Sequence, residues 1–514
     1  MDVDIWTFTI LLSCFLISYM ILKLIIGSSK TNNSNLNLPP GPRKLPLIGN
    51  LHLLAFSHTP HRILRDLATK YGPIILLQLG EISTIVVSSP ETAKQVMKTH
   101  DLVFASRPSL LTPEIICYGN TAIAFTPYGA YWRQLRKLCT LELLSTKRVN
   151  TFRPIREEEF LNLCNQIASN VGSTINLTEM VGLTAYDITS RATLGKKTGE
   201  QAKFISMIRE VIKYMGGMHI ADVYPSIKMF RWISGLKIKL QKLHKITDGI
   251  IGNIIIEHKL HAKSITDHEN KEHHEDLLDV LLKLQESGLE LPLTTDNIKS
   301  VLVETFSAGN ETSGTTFIWA MSEMLKNPKI LENAQNEVRH VFDGKGYVEE
   351  SGLDELKYIK AVVKEALRLH PPLPLLLPRE SRERCKIDGY EIPAKTRVLV
   401  NAWAINRDPK YWKDAESFKP ERFLDDNISV DYKGNDFKYI PFGAGRRICP
   451  GLAFGLANVE LPIAMLLYHF DWILPNEMKP EDVDMTEAFG VTVRTKTDLY
   501  AIPVVTRPLP INSN

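Results

Sequence analysis

Residues 441–451 read PFGAGRRICPG and place Cys449 between two arginines and a Pro-Gly pair. The glycines of this stretch allow the backbone to approach a flat ligand closely. Pro450 is typical of a first helical turn, so we predict that Cys449 lies at the positive end of a following helix. Nearby cations and free amides stabilise a thiolate. The predicted chemistry is a ligand for a soft or borderline metal, or a nucleophile, although no histidine partner lies nearby in the sequence.

A second candidate for chemistry is the stretch FSAGNETSGTT at residues 306–316. It lies in the middle of a long apolar pattern that predicts one helix starting near Thr295. Ser, Gly, Asn and Thr are weak helix formers, yet they cluster here. A run of weak helix formers inside a segment that otherwise predicts a helix indicates a functional site.

The elements that position these residues are mostly helical. Helical patterns cover YWRQLRKLCTLELL, FISMIREVIKYM, ILENAQNEVRHVF, IKAVVKEALRLH and GLAFGLANVELPIAMLLYHF. PIILLQLGEISTIVVSS predicts a strand pair that turns at Gly80-Glu81. Short strand-like pieces, YEIPAKTRVLVNAWAI and LYAIPVV, lie late in the chain. The expected fold is mainly α with a small β region.

The composition excludes several classes of protein. The chain has 514 residues, 44% of them hydrophobic, and a net charge of +3, which does not suggest a nucleic-acid-binding protein. Its six cysteines are scattered without paired spacing, which argues against a disulfide framework or a structural zinc site. No Rossmann fingerprint or Walker loop is present, so the chain itself is not expected to bind NADPH or ATP.

The N-terminus carries an apolar run, IWTFTILLSCFLISYMILKLII, that is long enough to span a bilayer as a helix. A cleaved signal peptide is the alternative, but no small-residue cleavage site follows the run. We predict a membrane anchor at residues 1–29, a polar and proline-rich hinge at 30–50 and a catalytic domain at 51–514. The positive charges that follow the run predict a lumenal N-terminus and a cytosolic catalytic domain.

The stretch FGAGRRICPG resembles the haem-binding loop of cytochrome P450 enzymes, with five positions in register: Phe442, Gly445, Arg447, Cys449 and Gly451. The resemblance implies the cytochrome P450 fold and haem b, iron protoporphyrin IX, with Cys449 as the axial thiolate ligand of the iron. Such a ligand favours cleavage of the O–O bond. Phe442 would pack beside the sulfur, and Gly451 belongs to the same cofactor-binding loop.

Other motifs agree with this resemblance in order and spacing. KEALRLHPP and FKPERF supply Glu365, Arg368 and Arg422, which in the family form a buried, structural charge cluster. The expected donors to the haem propionates are Trp132, Arg136, Arg379 and Arg447.

Ala308, Gly309, Glu311 and Thr312 match the family's oxygen-activation pattern, and Asn310 occupies its variable position. In the family the helix bulges there over the iron, the threonine hydroxyl holds dioxygen and its water, and the acid feeds protons.

The resemblance covers essentially the whole chain after the anchor. More narrowly, the chain resembles the plant microsomal branch of limonene, sesquiterpene and tabersonine-type alkaloid hydroxylases. It implies an endoplasmic-reticulum, single-pass monooxygenase that receives electrons from NADPH through cytochrome P450 reductase, with cytochrome b5 as a possible second donor. Arg133, Lys137, Lys438 and Arg446 are the predicted basic contacts for the reductase.

Substrate identity is the open part of this interpretation. The expected pocket residues are Glu304, Leu375, Leu377, Phe489 and Val491, and their apolar majority favours a terpenoid that is held by shape. Glu304 could instead pair with the ammonium group of a monoterpene indole alkaloid, which is the alternative substrate. A haem-thiolate isomerase or dehydratase that does not use dioxygen and a non-catalytic haem sensor are rival functions, but neither needs the Glu311-Thr312 pair.

Overall fold

The computed structural model describes residues 10, 13–15, 18, 36–54, 57, 59–197, 201–216, 219–265, 275–425, 430–488 and 490–510, without the side chains of 201–203 and 261–265. The predicted anchor at 1–29 and the first part of the predicted hinge fall almost entirely outside these residues. Phe489, one of the expected pocket residues, also lies outside them.

Helices form most of the described chain, as the sequence predicts. The α-helices are Leu51–Leu54, Pro60–Tyr71, Pro90–Lys94, Leu111–Ile116, Ala130–Leu138, Thr146–Thr151, Arg153–Ala168, Leu177–Leu194, Gln201–Tyr214, Ile220–Val223, Phe230–Ile233, Leu236–Ile265, Leu277–Glu286, Thr295–Lys326, Pro328–Phe342, Lys357–Leu369, Ala402–Ile405 and Leu452–His469. Short π-helical turns extend two of them, at Gln95–Thr99 and Cys139–Leu143.

The strands are short and belong to four small sheets. They are Ile74–Leu79, Ile82–Val87, Ile175–Asn176, Arg379–Glu380, Cys385–Ile387, Tyr390–Ile392, Arg397–Val400, Phe470–Ile473, Glu487–Ala488, Arg494–Thr495 and Tyr500–Val505. The predicted pair is antiparallel, with Leu79 opposite Ile82 across the Gly80-Glu81 turn. The late segment YEIPAKTRVLVNAWAI was expected to be strand-like throughout, but its last residues form the helix Ala402–Ile405 because the Asn401 side chain caps it at Ala404 N.

Two helices form the centre of the molecule. The central helix, Thr295–Lys326, begins at the predicted residue, where Thr294 and Asn297 form a capping box. It packs against the post-cysteine helix, Leu452–His469. Of the described helices, only the post-cysteine helix is long and apolar enough to cross a membrane, but 67% of that stretch is buried in the protein, as expected of a core helix.

Candidate active site

The cysteine loop, residues 441–451, folds back on itself so that the amide of Cys449 donates to the carbonyl of Phe442 at 3.0 Å. Gly445 has φ +69°, and a Cβ atom there would lie 2.0 Å from the carbonyl oxygen of Met97. Only glycine fits this position without displacing the neighbouring backbone. The following helix begins at Leu452, so Pro450 lies in the turn before it and not in its first turn as predicted.

The Cys449 side chain is half-buried, and this burial raises the pKa of its thiol. The Gly451 amide and the charge of Arg136 oppose that rise. The two arginines next to Cys449 were expected to stabilise the thiolate, but they turn away from it. Arg446 pairs with Asp101, and Arg447 donates to three backbone carbonyls. A bound metal cation would supply the missing positive charge, because coordination deprotonates a thiol.

Four arginine side chains cluster beside this loop with too little negative charge to balance them: Arg107, Arg136, Arg379 and Arg447. Burial lowers the pKa of each of them, to about 10 for Arg379 and to about 9 for Arg447. Nη1 of Arg379 is buried and forms no hydrogen bond with any described residue, and Oδ1 of Asp101 lies 3.6 Å from it. Buried cations need a counter-charge, so this group fits the two carboxylates of a haem.

Trp132 supports this group of cations through its ring. Its indole N–H donates to the carbonyl of Ile123 at 3.1 Å, and the guanidinium of Arg447 lies 4.2 Å from the ring centroid. Arg447 also donates to the carbonyl of Ile123, so one backbone position holds both side chains. Arg136 donates to the carbonyl of Ile448, the residue before the cysteine.

The central helix exposes part of its middle although its neighbours are buried. Ala308 is exposed, whereas Val303, Phe306 and Asn310 are buried. An exposed alanine between buried residues of a central helix marks an internal space. A Cβ atom at Gly309 would lie 3.6 Å from the Phe454 ring of the post-cysteine helix, so the two helices meet closely at this point.

The structure has one uninterrupted α-helix through residues 306–316, where the resemblance implied a bulge over the iron. Side chains instead add second hydrogen bonds to its carbonyls. Ser307 donates to Val303, Thr312 to Ala308 at 2.7 Å, and Ser313 to Gly309. Such back-bonding lets weak helix formers remain in a helix and loosens it locally.

Asn310, at the variable position of the pattern, ties this segment to a neighbouring helix. Its Nδ2 donates to the carbonyl of Phe306 at 3.0 Å, and its Oδ1 accepts from the hydroxyl of Thr189 at 2.5 Å. Both side chains are buried. The back of the segment is therefore fixed, while Ala308 faces the internal space.

Glu311 and Thr312 are both half-buried next to Ala308. An oxygen of the Glu311 carboxylate accepts from the hydroxyl of Thr492 at 3.3 Å. Burial is the largest cause that raises the pKa of Tyr186, and the negative charge of Glu311 is the second. A carboxylate and a hydroxyl in adjacent positions can accept and donate a proton at the same internal space.

The predicted charge cluster brings its three members together behind the site. Arg368 donates to both oxygens of Glu365, at 2.7 and 2.9 Å, and Arg422 donates to one of them at 3.0 Å. The side chains of Glu365 and Arg368 are fully buried. Arg368 also donates to the carbonyls of Asn406 and Ala415, so the cluster ties the helix Lys357–Leu369 to the chain that leads to the cysteine loop.

The expected pocket residues separate into two places. Leu375, Leu377 and Val491 line one apolar cavity, whereas Glu304 is not among its lining residues. Glu304 accepts from the amide of Ala124 at 2.6 Å, and its Oε2 is buried without a hydrogen-bond partner among the described residues. Burial raises the pKa of Glu304 to about 7.

The family model for cytochrome P450 matches residues 39–501 of this sequence. The chain belongs to the cytochrome P450 family. Salviol synthase from Salvia pomifera is 55% identical over 497 residues, covering 96% of this chain and 97% of the relative. Premnaspirodiene oxygenase from Hyoscyamus muticus is 51% identical and covers 95% of this chain and 98% of that relative.

Tabersonine 16-hydroxylase 1 from Catharanthus roseus is also 51% identical, covering 96% of both chains. A solved structure of a zebra fish cytochrome P450 with abiraterone superposes with a TM-score of 0.73 at 25% identity, over 88% of this chain and all of that one. The chain is therefore a haem-thiolate cytochrome P450 monooxygenase of the plant A-type group.

In a cytochrome P450 the haem supplies dioxygen reduction, with electrons that the reductase takes from NADPH. The residues of this chain provide the surroundings. Cys449 would hold the iron through its thiolate, the arginine group would donate to the haem carboxylates, and Glu311 with Thr312 would pass protons.

Sequence reasoning did not find several residues that complete these surroundings. Arg107 donates to the carbonyls of Ala124, Leu377 and Pro378, and so joins the arginine group to the cavity. Asp101 is the carboxylate nearest to Arg379 and also pairs with Arg446. Thr189 and Thr492 bond to consecutive residues of the central helix, Asn310 and Glu311. None of them lies in a recognisable motif, since their contacts join segments that are far apart in the sequence.

Proposed function

We propose that this cytochrome P450 hydroxylates a terpenoid, and that the oxygen-activating residues are Ala308, Gly309, Glu311 and Thr312. The observation that carries the proposal is the placement of the Glu311-Thr312 pair on the exposed face of the central helix, at the point where Gly309 meets the helix that follows Cys449. An isomerase or a sensor would have no use for a proton path at this position. The name of premnaspirodiene oxygenase supports oxygenation as the reaction.

The apolar cavity supports a hydrocarbon-like substrate. Its lining is dominated by leucine and proline, and it includes Leu375, Leu377 and Val491. Such a surface selects a substrate by its shape. Each Å² of apolar surface that is removed from water contributes about 25 cal/mol to the free energy of binding.

An indole alkaloid is the second candidate, and one observation favours it. Oε2 of Glu304 is buried without a hydrogen-bond partner among the described residues. An ammonium group is a suitable donor to such an oxygen. Tabersonine 16-hydroxylase 1, at 51% identity, has an alkaloid in its name.

The pH dependence of binding separates the two substrates. Because the pKa of Glu304 is about 7, raised by burial, ionisation between pH 6 and 8 would strengthen the binding of an ammonium ion and leave the binding of a neutral terpenoid unchanged. Haem spectral titrations with both substrate classes across this range measure the effect. Glu304→Gln is the control, since it should abolish any such pH dependence.

The proposed membrane orientation has support in the described surface. Leu45, Leu47, Trp232 and Ile233 are exposed apolar side chains. Their segments are adjacent, because the hydroxyl of Tyr224 donates to the carbonyl of Leu47 and the Tyr224 and Phe230 rings are in contact. This apolar surface would lie against the bilayer into which the proposed N-terminal anchor inserts, with the catalytic domain in the cytosol.

The proposed reductase surface contains Arg133 and Lys137, which are exposed one turn apart on the helix Ala130–Leu138. Arg446, half of whose side chain is exposed, and Lys438 extend it, although each pairs with an aspartate. Reversing the charges of Arg133 and Lys137 together should raise the reductase concentration needed for half-maximal turnover. The carbon monoxide spectrum after chemical reduction should not change, and an unchanged reductase requirement would exclude this surface.

Turnover in microsomes tests the function as a whole. The chain is co-expressed with a plant reductase, supplied with NADPH and offered parallel terpenoid and indole-alkaloid panels with mass-spectrometric detection. A terpenoid that gains one oxygen only when NADPH and dioxygen are present supports the proposal. Oxygenation of alkaloids alone would show that the substrate is an alkaloid and not a terpenoid. A product that forms without dioxygen would show that the reaction is not a monooxygenation.

A further inference from the structure

The turn at residues 490–493, before the strand Arg494–Thr495, reaches the carboxylate of Glu311. Thr492 is buried in this turn, with 5% of its surface exposed. Its hydroxyl donates to Oε1 of Glu311 at 3.3 Å. No resemblance or motif assigns a role to this threonine.

The backbone next to Thr492 is fixed on both sides. The amide of Val493 donates to the carbonyl of Pro372 at 2.9 Å, and its carbonyl accepts from the indole N–H of Trp319 at 3.0 Å. Trp319 belongs to the central helix and is fully buried. The backbone next to Thr492 is therefore bound to the same helix that carries Glu311.

The other side of the turn faces the apolar cavity. Gly490 and Val491 line it together with Leu375 and Leu377. A Cβ atom at Gly490 would lie 3.1 Å from the carbonyl oxygen of Thr492, so the turn is tight. One peptide bond thus separates a residue that contacts the cavity from the residue that holds the acid.

We propose that Thr492 is a positioning residue that holds Glu311 for proton delivery and makes this position depend on substrate seated against Val491. The inference rests on the proposed function, since it assumes that Glu311 feeds protons during oxygenation. When the acid is held, each cycle follows RH + O₂ + NADPH + H⁺ → ROH + H₂O + NADP⁺. When it is not held, the uncoupled reaction O₂ + NADPH + H⁺ → H₂O₂ + NADP⁺ competes.

Substitutions at Thr492 test this directly. Thr492→Val keeps the shape and removes the hydroxyl, and Thr492→Ser keeps the hydroxyl. Thr495→Val is the matched control, because Thr495 is similarly buried in the same hairpin and, within the described part of the chain, forms no hydrogen bond with Glu311. All four proteins are assayed as haem-loaded enzyme with reductase, with product, NADPH and hydrogen peroxide measured together.

We expect Thr492→Val to lower product per NADPH by about threefold to tenfold, with peroxide rising to match and the spectral substrate dissociation constant unchanged. Addition of substrate should suppress peroxide release in the wild type, in Thr492→Ser and in Thr495→Val, but not in Thr492→Val. Coupling in Thr492→Val equal to that of Thr495→Val would overturn the proposal.

A measurement that does not depend on turnover follows the acid itself. Infrared spectra recorded through a pH titration identify the carboxyl band that Glu311→Gln removes. This band should shift in Thr492→Val and stay in place in Thr495→Val, because only the first loses a hydrogen bond to the carboxyl. A band that does not move in Thr492→Val would show that the hydroxyl does not hold Glu311.

The double variant separates this inference from the proposed function. In a Glu311→Gln background, Thr492→Val should cause no further loss of coupling. A wild type that forms no oxygenated product would refute the proposed function. A productive wild type in which the two losses of coupling add independently would refute only the role of Thr492.

Discussion

At the scale of single residues, the unbalanced charge beside the cysteine loop has a measurable consequence. Nη1 of Arg379 is buried without a hydrogen-bond partner among the described residues, and a haem carboxylate would accept a hydrogen bond from it. Arg379→Leu should therefore release haem about tenfold faster or more, since a charge-assisted hydrogen bond contributes about 1.5–3 kcal/mol. Transfer of haem to an excess of an acceptor apoprotein measures the rate.

Arg384→Leu is the control for haem release. The Arg384 side chain is 60% exposed and pairs with Glu391 on the surface. Its loss should leave the rate unchanged. Equal rates for the two variants would mean that Arg379 does not hold the cofactor.

The buried carboxyl group of Glu304 should make the free energy of unfolding depend on pH. Burial raises the pKa of this carboxyl to about 7 in the folded protein, above the value of about 4.3 in an unfolded chain. The folded state therefore binds the proton more tightly, and stability falls as pH rises from about 4.5 through 7, by up to about 3 kcal/mol. The thermal unfolding midpoint of Glu304→Gln, relative to that of the wild type, should rise as the pH increases from 5 to 8. A difference between the two midpoints that does not change with pH would contradict the prediction.

At the scale of elements, the central helix depends on its contact with the helix Leu177–Leu194. Thr189→Val would remove the donor to Asn310 and leave a buried oxygen unsatisfied, at a cost of about 1–3 kcal/mol. The thermal midpoint should fall, and the double variant Thr189→Val with Asn310→Leu should recover part of the loss. If Thr189→Val alone were as stable as the wild type, this hydrogen bond would not fix the helix.

The charge cluster predicts a larger effect. Glu365→Gln would leave the buried charge of Arg368 without its bidentate partner, which typically costs about 3–5 kcal/mol. We expect little folded, haem-loaded protein to be recovered. Glu332→Gln, which breaks an exposed pair with Lys329, should give a normal yield, and similar yields for both variants would exclude a structural role for the cluster.

The central helix also shows how far sequence reasoning reaches among the elements. Its start at Thr295 could be predicted because the capping box and the apolar period are local signals. The apolar pattern also predicted that one helix runs through 306–316, but it did not predict the second hydrogen bonds from Ser307, Thr312 and Ser313 or the contact with a distant helix that hold this segment.

At the scale of the whole molecule, the sequence was sufficient for the family and the fold, since the cysteine loop and the Glu-x-x-Arg motif occur in fixed order and spacing. The site was only partly predictable. Trp132 and Arg447 were expected among the donors to the haem propionates, but the contact of the Arg447 guanidinium with the Trp132 ring and their shared acceptor, the carbonyl of Ile123, were not predicted. Arg107, Asp101 and Thr492 act across long sequence separations, which no local pattern records.

The central claim is that Cys449 ligates haem iron in an enzyme that inserts one atom of dioxygen into an apolar plant metabolite. The most direct test is turnover of the reductase-coupled protein under ¹⁸O₂ with NADPH, with Cys449→Ala in parallel. We predict a product that carries one ¹⁸O atom in the wild type and none in Cys449→Ala. A product whose new oxygen comes from water, or one that Cys449→Ala forms equally well, would contradict the account.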